Sequence, residues 1–407
     1  MVSLRNLQIA VGCFAAALSK SADCHTRPSR KPKPQCTAPL NDGREPRSNA
    51  IFDAYNAEID SDLKLSSFSS NLSATSDVDV EEFNRMNELA KKLVQLEGRF
   101  EKTDTYHDFR RRVFDVLAAR EARMRQGKTE VKGAMLIGPA GSGKSRIVAE
   151  IIREHEALTA YAGNWRFGTR ILSVVVPGRS TVKETLKAIL NELGFPARGR
   201  RDEDYLAQLV TQYLKECGIA ALHLDEVQDS GRYKTKDSAE AFLKVFRNMM
   251  QHKEWPVCII MTATPEARHL LDLDPTLLRR LKPMQARPIT FVEDGPLVRE
   301  TVKQLFADVG VVDPGIVAMD EFIKILMHAA AGRFGVLLEM TIEAIGECLA
   351  ESNAEIDIGH FADAYEMRMG CDDELNPFLA QYWASIDTST ALQRYHEQRH
   401  VERRAPS

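Results

Sequence analysis

A parallel α/β sheet followed by a separate bundle of helices is the fold class that this sequence predicts, on three observations. Between Gly133 and Thr264 short apolar runs alternate with helix-period segments, the pattern of parallel strands joined by right-handed crossovers. The first of those runs opens into a glycine-rich loop and then a helical segment. Beyond about Glu293 strand signals stop and only helical periods continue.

The chain of 407 residues is long enough for two or three structural units, since a soluble domain takes roughly 100 to 200 residues. Its mix of 44% hydrophobic and 28% charged residues is that of an ordinary globular protein and excludes a wholly disordered chain. A formal charge of -4 excludes a uniformly basic coat, so a nucleic-acid surface must be regional. Seven scattered cysteines form no Cys-x-x-Cys pair, which reads as a reduced, cytoplasmic protein without a zinc site. Leu7 to Leu18 follows a lone Arg5 in the manner of a weak secretory segment. It is too short to span a bilayer, which needs about 20 residues, and is read as a loose tail or a start codon set too far upstream.

Residues 1–79 are rich in Ser, Pro, Asn and Asp, with a basic stretch from Arg27 to Pro34, and are expected to be mostly disordered. The unit expected next covers 80–292, opening with two amphipathic helices, in Glu81–Phe100 and in Tyr106–Gly127. Its strands are expected at Gly133–Ile137, Arg170–Pro177, Ile219–Leu224 and Pro256–Thr264. Helices are expected at Ser145–Glu156, Thr181–Leu193, Asp204–Glu216 and Ala239–Gln251. Residues 293–370 read as a small helical bundle, and 371–407 as a tail that docks on a partner or packs on that bundle.

Gly138-Pro139-Ala140-Gly141-Ser142-Gly143-Lys144-Ser145 matches G-x-x-x-x-G-K-[ST] between an expected strand and helix, the setting in which that motif binds phosphates. Its glycines let backbone N–H groups curl around phosphate oxygens, and the helix start adds partial positive charge. Lys144 is expected on the β- and γ-phosphates of ATP and the Ser145 hydroxyl on Mg2+, with Arg146 counted among the nucleotide-binding residues. About eighty residues on, an apolar strand ends in Asp225-Glu226. Asp225 is placed to hold magnesium and Glu226 to polarise the attacking water. The last strand ends Thr262-Ala263-Thr264, at the edge where ligands of open α/β sheets bind. Thr264 is the first candidate there for contact with the γ-phosphate or water, and Thr262 the reserve.

With these residues in place the chain resembles the AAA+ superfamily, and within it the TniB and TnsC group of transposition ATPases, over about Val80 to Asp373. The likeness lies in GPAGSGKS, in LDEVQ, in ATPEA (Ala263–Ala267) where that group tends to carry Gly-Thr-x-Glu-Ala, and in DPTLLRRL where it tends to carry Ser-Arg-Phe. It departs at Ala263, Arg279 and Leu281, where Gly, Ser and Phe are usual. The resemblance implies an AAA+ P-loop NTPase core with a parallel sheet, followed by a small all-helical lid. It makes Thr264 the first sensor and Arg280 the arginine finger, with Arg279 as the alternative, and Arg333 in AAGRFGVLLEM the second sensor. It further implies a slow ATPase that forms a ring or filament on double-stranded DNA and engages a transposase and a target-selection protein, without a membrane. The rival classes are a replication-initiator or clamp-loader type of loader, and a nucleotide-gated scaffold that uses no DNA.

For the DNA itself, Pro177 to Lys183 turns into a helix, offering cations, hydroxyls and backbone N–H groups to a phosphate. The corresponding region of TnsC-like proteins lines their DNA channel, so Arg179, Thr181 and Lys183 are the candidate contacts. Arg198, Arg200 and Arg201 form a denser cluster in a loop that faces solvent or a partner.

Overall fold

The computed structural model describes residues 77–162, 165–178, 180–196, 201–228, 236–268, 272–351, 355–390 and 392. The chain divides into two compact units, Met1–Gly98 and Arg99–Ser407. In the first, the described residues form one helix, α1 (Asp77–Glu97), so the first expected helix lies in this unit.

The second unit opens with α2 (Asp104–Arg125), started by Thr103, whose side chain accepts the Tyr106 N–H. The sheet follows: β1 (Ala134–Ile137), β2 (Arg170–Val175), β3 (Ile219–Asp225), β4 (Cys258–Ala263) and β5 (Met284–Gln285). All pairings are parallel, in the order β2-β3-β4-β1-β5. Helices α3 (Lys144–Ala162), α4 (Val182–Glu192), α5 (Glu203–Glu216), α6 (Lys236–Met250) and α7 (Pro275–Leu281) lie between the strands in sequence.

β1, β3 and β4 are buried at every position, as continuous apolar runs require when both faces of a parallel sheet are covered. β2, an edge strand, buries only Ile171 and Val174 of its six residues. The fifth strand was not expected from the sequence: two residues carry no period. Met284 and Gln285 pair with Leu136 and Ile137 on the free edge of β1.

The order has one consequence for the site. β4 sits between β1 and β3, so the phosphate loop after β1 and the acids after β3 flank the end of β4. Such a crevice at the carboxyl edge of an open sheet is where ligands bind.

A buried cation ties α2 to the far side of the sheet. Arg120 is 1% exposed, donates from Nε to the Pro256 carbonyl at 2.7 Å and from Nη1 to Phe167 at 2.6 Å, and lies 4.9 Å from the Trp255 ring centre. Nearby, Arg110 grips Glu154 of α3 through two bonds, at 2.7 and 3.0 Å. The Tyr106 hydroxyl donates to the same carboxylate, and these donors hold Glu154 down at about 2.

His155 is packed between the ring edges of Phe114 and Trp165. Neither of its ring nitrogens has a partner among the described residues, and burial pushes it below the ordinary histidine value. The unfolded chain therefore binds this proton at higher pH than the fold does. The neutral ring's contribution is fully present above about pH 6.5 and is lost as the pH falls toward the depressed folded value. Thermal unfolding between about pH 5 and 8 is expected to show a melting temperature that drops on acidification, with a shallower slope in His155→Phe. The slope does not vanish, because buried His223 acts in the same sense. An unchanged slope in the variant contradicts the assignment.

From Phe291 the unit is helical: α8 (Phe291–Val309), α9 (Asp320–Ala329), α10 (Phe334–Ala350) and α11 (Ile358–Met369). The described tail packs on these helices. Asn376 is buried and donates from Nδ2 to the Ala362 carbonyl at 2.8 Å. Phe378 stands against Phe361 and Tyr365, and Thr388 donates to the His328 carbonyl at 2.7 Å. Among the described residues no single helix is long and apolar enough to cross a membrane; the pair α9 and α10 passes only together and is bent by 110°.

Candidate functional site

The phosphate loop leaves β1 at Gly138, whose N–H donates to the Ala263 carbonyl at the end of β4, 3.0 Å away. A Cβ at Gly138 would meet Ala286 at 2.7 Å and the Ser142 hydroxyl at 2.8 Å, so only glycine fits. Gly141 and Gly143 have φ of 75° and 83°, a left-handed backbone that side chains disfavour. Pro139 accepts the Ser142 N–H at 3.3 Å. The Ser142 hydroxyl is buried without a partner among the described residues.

α3 begins at Lys144, which directs the helix start at the loop. Lys144 is 5% exposed and donates to the Pro139 carbonyl at 3.0 Å. Burial lowers its pKa, while Glu226, Asp225 and Glu266 pull it back up and Arg333 adds to the lowering. One ammonium thus senses groups from the ends of β3 and β4 and from the start of α10. Ser145 and Arg146 are exposed, and Arg146 donates to the Arg99 carbonyl at 2.7 Å.

β3 carries Asp225 as its last residue, 6% exposed. Its Oδ1 accepts the Glu226 N–H at 3.0 Å and the Thr262 hydroxyl. Glu226 follows with φ 58°. That left-handed conformation costs a non-glycine residue about 1–2 kcal/mol and persists where the surroundings impose it. The imposing contact is Gln228, whose Nε2 donates to Glu226 and whose Oε1 accepts the Thr264 N–H at 3.0 Å. Gln228 thereby joins the acid to the end of β4. Sequence reading left it without a role, although it stands in the LDEVQ element.

The two threonines of β4 do different things. Thr264 precedes a 3-10 turn (Pro265–Ala267), and its side chain makes no capping bond there. Thr262 is fully buried and committed to Asp225.

The helical region closes against the loop through backbone. Val336 N–H donates to the Gly141 carbonyl at 3.1 Å, and a Cβ on Gly335 would come within 2.5 Å of that oxygen. Arg333, at the N-cap of α10, is half-buried and lies 3.5 Å from the Ala140 carbonyl. Burial lowers its pKa. The Gly335 approach had no local signal beyond a glycine at a helix start.

Arg280 does not sit where a reaching arginine should. It is 7% exposed and paired with Glu130, on the chain leading into β1 and thus at the opposite end of that strand from the loop. Its carbonyl accepts the Gly133 N–H at 3.2 Å. Arg279 beside it is exposed. A helix of seven residues presents neighbours to different sides, and sequence spacing does not say which one points inward.

The candidate DNA turn also differs from expectation. Arg179 lies outside the described residues, as do Arg198 and Arg200, while Arg201 lies 5.4 Å from the Tyr205 ring centre. Thr181 caps α4: its hydroxyl accepts the Glu184 N–H at 3.3 Å, and its own N–H donates to Glu184 at 2.7 Å. Ser180 is 3% exposed and bonded to Thr185. The hydroxyls and N–H groups of Ser180 and Thr181 are therefore satisfied internally, and the Glu184 carboxylate stands at the helix start. Lys183, half-buried, is the one of the three candidate residues left with an uncommitted cation among the described residues.

The sheet order, the glycine cradle and the acid pair at its carboxyl edge define a nucleotide-binding P-loop ATPase. Residues 104–290 match the family model described as bacterial TniB protein, and that stretch of the chain is similar to TniB. No curated protein matches in sequence. Among solved structures, Aeropyrum pernix ORC1 in complex with DNA is similar at 17% identity over 72% of this chain and 77% of that one, with a TM-score of 0.47. Drosophila ORC bound to DNA is similar at 12% identity over 89% and 75%, at 0.46. The Thermotoga maritima RuvB Holliday junction branch migration motor is similar at 15% identity over 67% and 72%, at 0.36. The fold rests on the strand order and the loop, independently of these likenesses.

Proposed function

We propose that this chain is an ATP-dependent transposition regulator that assembles on double-stranded DNA and recruits or activates a transposase. The observation that carries the nucleotide part is Lys144, buried at the start of α3 in the G-x-x-x-x-G-K-[ST] loop and bonded to the Pro139 carbonyl. The TniB match over residues 104–290 supports the transposition part.

The residues present suit ATP with magnesium. The glycine cradle and the unpartnered Ser142 hydroxyl offer donors to phosphate oxygens. Among the described residues both bonds to Asp225 fall on Oδ1, which leaves Oδ2 for a cation, with the Ser145 hydroxyl as the other candidate ligand. Asp225 and Ser145 would hold that magnesium, which would supply charge to offset that of the phosphates. Lys144 would exchange the Pro139 carbonyl for phosphate. Glu226, held by Gln228, would accept a proton from the attacking water. Thr264 would orient that water or the γ-phosphate. Residues 293–370 would act as a lid whose start, at Arg333, Gly335 and Val336, follows the state of the loop, while 1–79 and 371–407 would be tails. With ATP as its nucleotide, this work would take place in the cytoplasm.

The subunit contact falls on Arg279, whose exposure suits a reach across an interface better than the paired Arg280 does. Arg279→Ala is expected to lose ATPase activity while single protomers still bind ATP. Mixing it with Glu226→Gln should restore part of the activity, because each variant spoils a different half of a shared site. Arg280→Ala is expected instead to destabilise the protomer by about 2 kcal/mol, through lost packing and an unpaired Glu130. Loss of catalysis in Arg280→Ala with unchanged stability would reverse the assignment. DNA contact would come from Arg179 and Lys183 acting as phosphate-facing cations.

Negative-stain microscopy on random duplex DNA tests the whole reading. Rings or filaments that form only with ATP and DNA together are expected. Assembly that ignores DNA would instead favour a nucleotide-gated scaffold.

A further inference from the structure

We propose that Thr262, His223 and Ser173 are positioning residues, a one-way chain of hydrogen bonds across three strands that holds Asp225 for a divalent cation. The inference rests on the reading of Asp225 as a magnesium ligand.

The sheet order makes the chain feasible. β2, β3 and β4 are neighbours, Ser173 is the register partner of His223, and Thr262 stands one residue beyond the Leu224–Met261 pair. His223 and Asp225 are two apart on β3, so their side chains share a face. Ser173 Oγ lies 2.8 Å from His223 Nδ1, and His223 Nε2 lies 3.0 Å from Thr262 Oγ1. The Thr262 hydroxyl in turn reaches Asp225 Oδ1.

Donor inventory sets the direction. An ionised carboxylate only accepts, so the single hydroxyl proton of Thr262 goes to Asp225. The Thr262 oxygen must then accept from His223 Nε2–H. With its proton on Nε2, the ring has a bare Nδ1, which accepts from Ser173. Every donor thus points toward one carboxylate oxygen, and the sequence of bonds starts at Ser173 on the exposed edge strand.

Mere satisfaction of buried polar groups does not account for the choice of residues. Thr262 is fully buried and His223 is 2% exposed, among strand neighbours Ala221, Leu222, Leu224, Ile260 and Met261 that are all apolar. An apolar pair at 223 and 262 would suit that core better, because a buried imidazole and hydroxyl gain little beyond the bonds they make to each other. What the polar pair adds is a fixed orientation of Asp225, with Oδ1 occupied and Oδ2 left over. Partners of metal-ligating side chains act in this way, and their loss commonly weakens metal affinity 10–100-fold.

The test is equilibrium binding of a fluorescent, non-hydrolysable ATP analogue to the full chain, with Mg2+ titrated from an EDTA buffer. Thr262→Val, of equal shape but without the hydroxyl, is expected to raise the half-saturating Mg2+ concentration about 10-fold. Analogue binding in EDTA should stay as in the parent. Thr262→Ser should return the Mg2+ requirement to within about twofold. Thermal unfolding of each variant comes first. Should Thr262→Val fail to fold, His223→Leu must raise the Mg2+ requirement, and His223→Gln, whose amide N–H replaces Nε2–H, must not. Asp225→Asn separates the two readings. If it raises the Mg2+ requirement while Thr262→Val and His223→Leu leave it unchanged, the positioning chain is overturned and the magnesium ligand stands. If Asp225→Asn leaves it unchanged, the magnesium reading fails and the inference falls with it. Equal weakening of binding with and without Mg2+ in Thr262→Val would reduce Thr262 to a structural residue and also overturn the proposal.

Discussion

Lys144→Ala is expected to lose nucleotide affinity by at least about 100-fold, the equivalent of roughly 3 kcal/mol. The side chain is almost wholly buried at the start of α3, with one bond to the Pro139 carbonyl. A cation held that way is desolvated before any ligand arrives, and burial accordingly lowers its pKa. Triphosphate would supply a counter-charge to this ammonium in a medium of low dielectric rather than in water. The protomer itself should tolerate the change, because a buried ammonium is a cost that one carbonyl bond only partly offsets. Calorimetric titration with ATP, beside thermal unfolding of the unliganded variant, reads both halves. Near-parental affinity in Lys144→Ala would remove the phosphate site from this loop.

Glu226→Gln is expected to slow turnover by about 100-fold or more, the scale of general-base catalysis, with nucleotide affinity within a few-fold of the parent. The amide keeps the shape and can still accept from Gln228 Nε2, so the strained backbone at φ 58° stays imposed. It cannot take the proton of an attacking water. Phosphate release under single-turnover conditions separates this from a binding defect. A variant that hydrolyses ATP at the parental rate would hand the proton to another group, with Glu266, which also bears on Lys144, the next to test.

How much of this was legible depended on how far each signal reaches along the chain. The glycine-rich loop is a contiguous motif whose glycines are needed for its own backbone angles, so sequence alone singled out Gly138 to Ser145 as the candidate for phosphates. The acid pair was nearly as plain, because an unbroken apolar run is what a strand covered on both faces requires, and Asp225 ends it. The capping box at Thr181 and Glu184 was legible too, since Thr-x-x-Glu before an apolar run is a helix-start signature. That signature ties the Thr181 hydroxyl and N–H to Glu184 rather than leaving them for a phosphate.

What the tertiary structure alone decided are pairings between distant residues. Adjacent arginines 279 and 280 look alike in sequence, and packing against Glu130 buries one and leaves the other outside. β5 is two residues without a period and exists because β1 has a free edge to pair with. Arg120 reads as a solvated helix charge until the carbonyls of Pro256 and Phe167 close over it. His223 and Thr262 meet only because β4 is inserted beside β3, and Gly335 matters only because α10 abuts the loop. Sequence by itself determined the local pattern: a glycine-rich loop between a strand and a helix, two acids at a strand end, and helices after strands. Strand order, register and inward facing were left to the fold, because local propensity and period constrain a residue's own backbone but carry no information about which distant segment will lie against it.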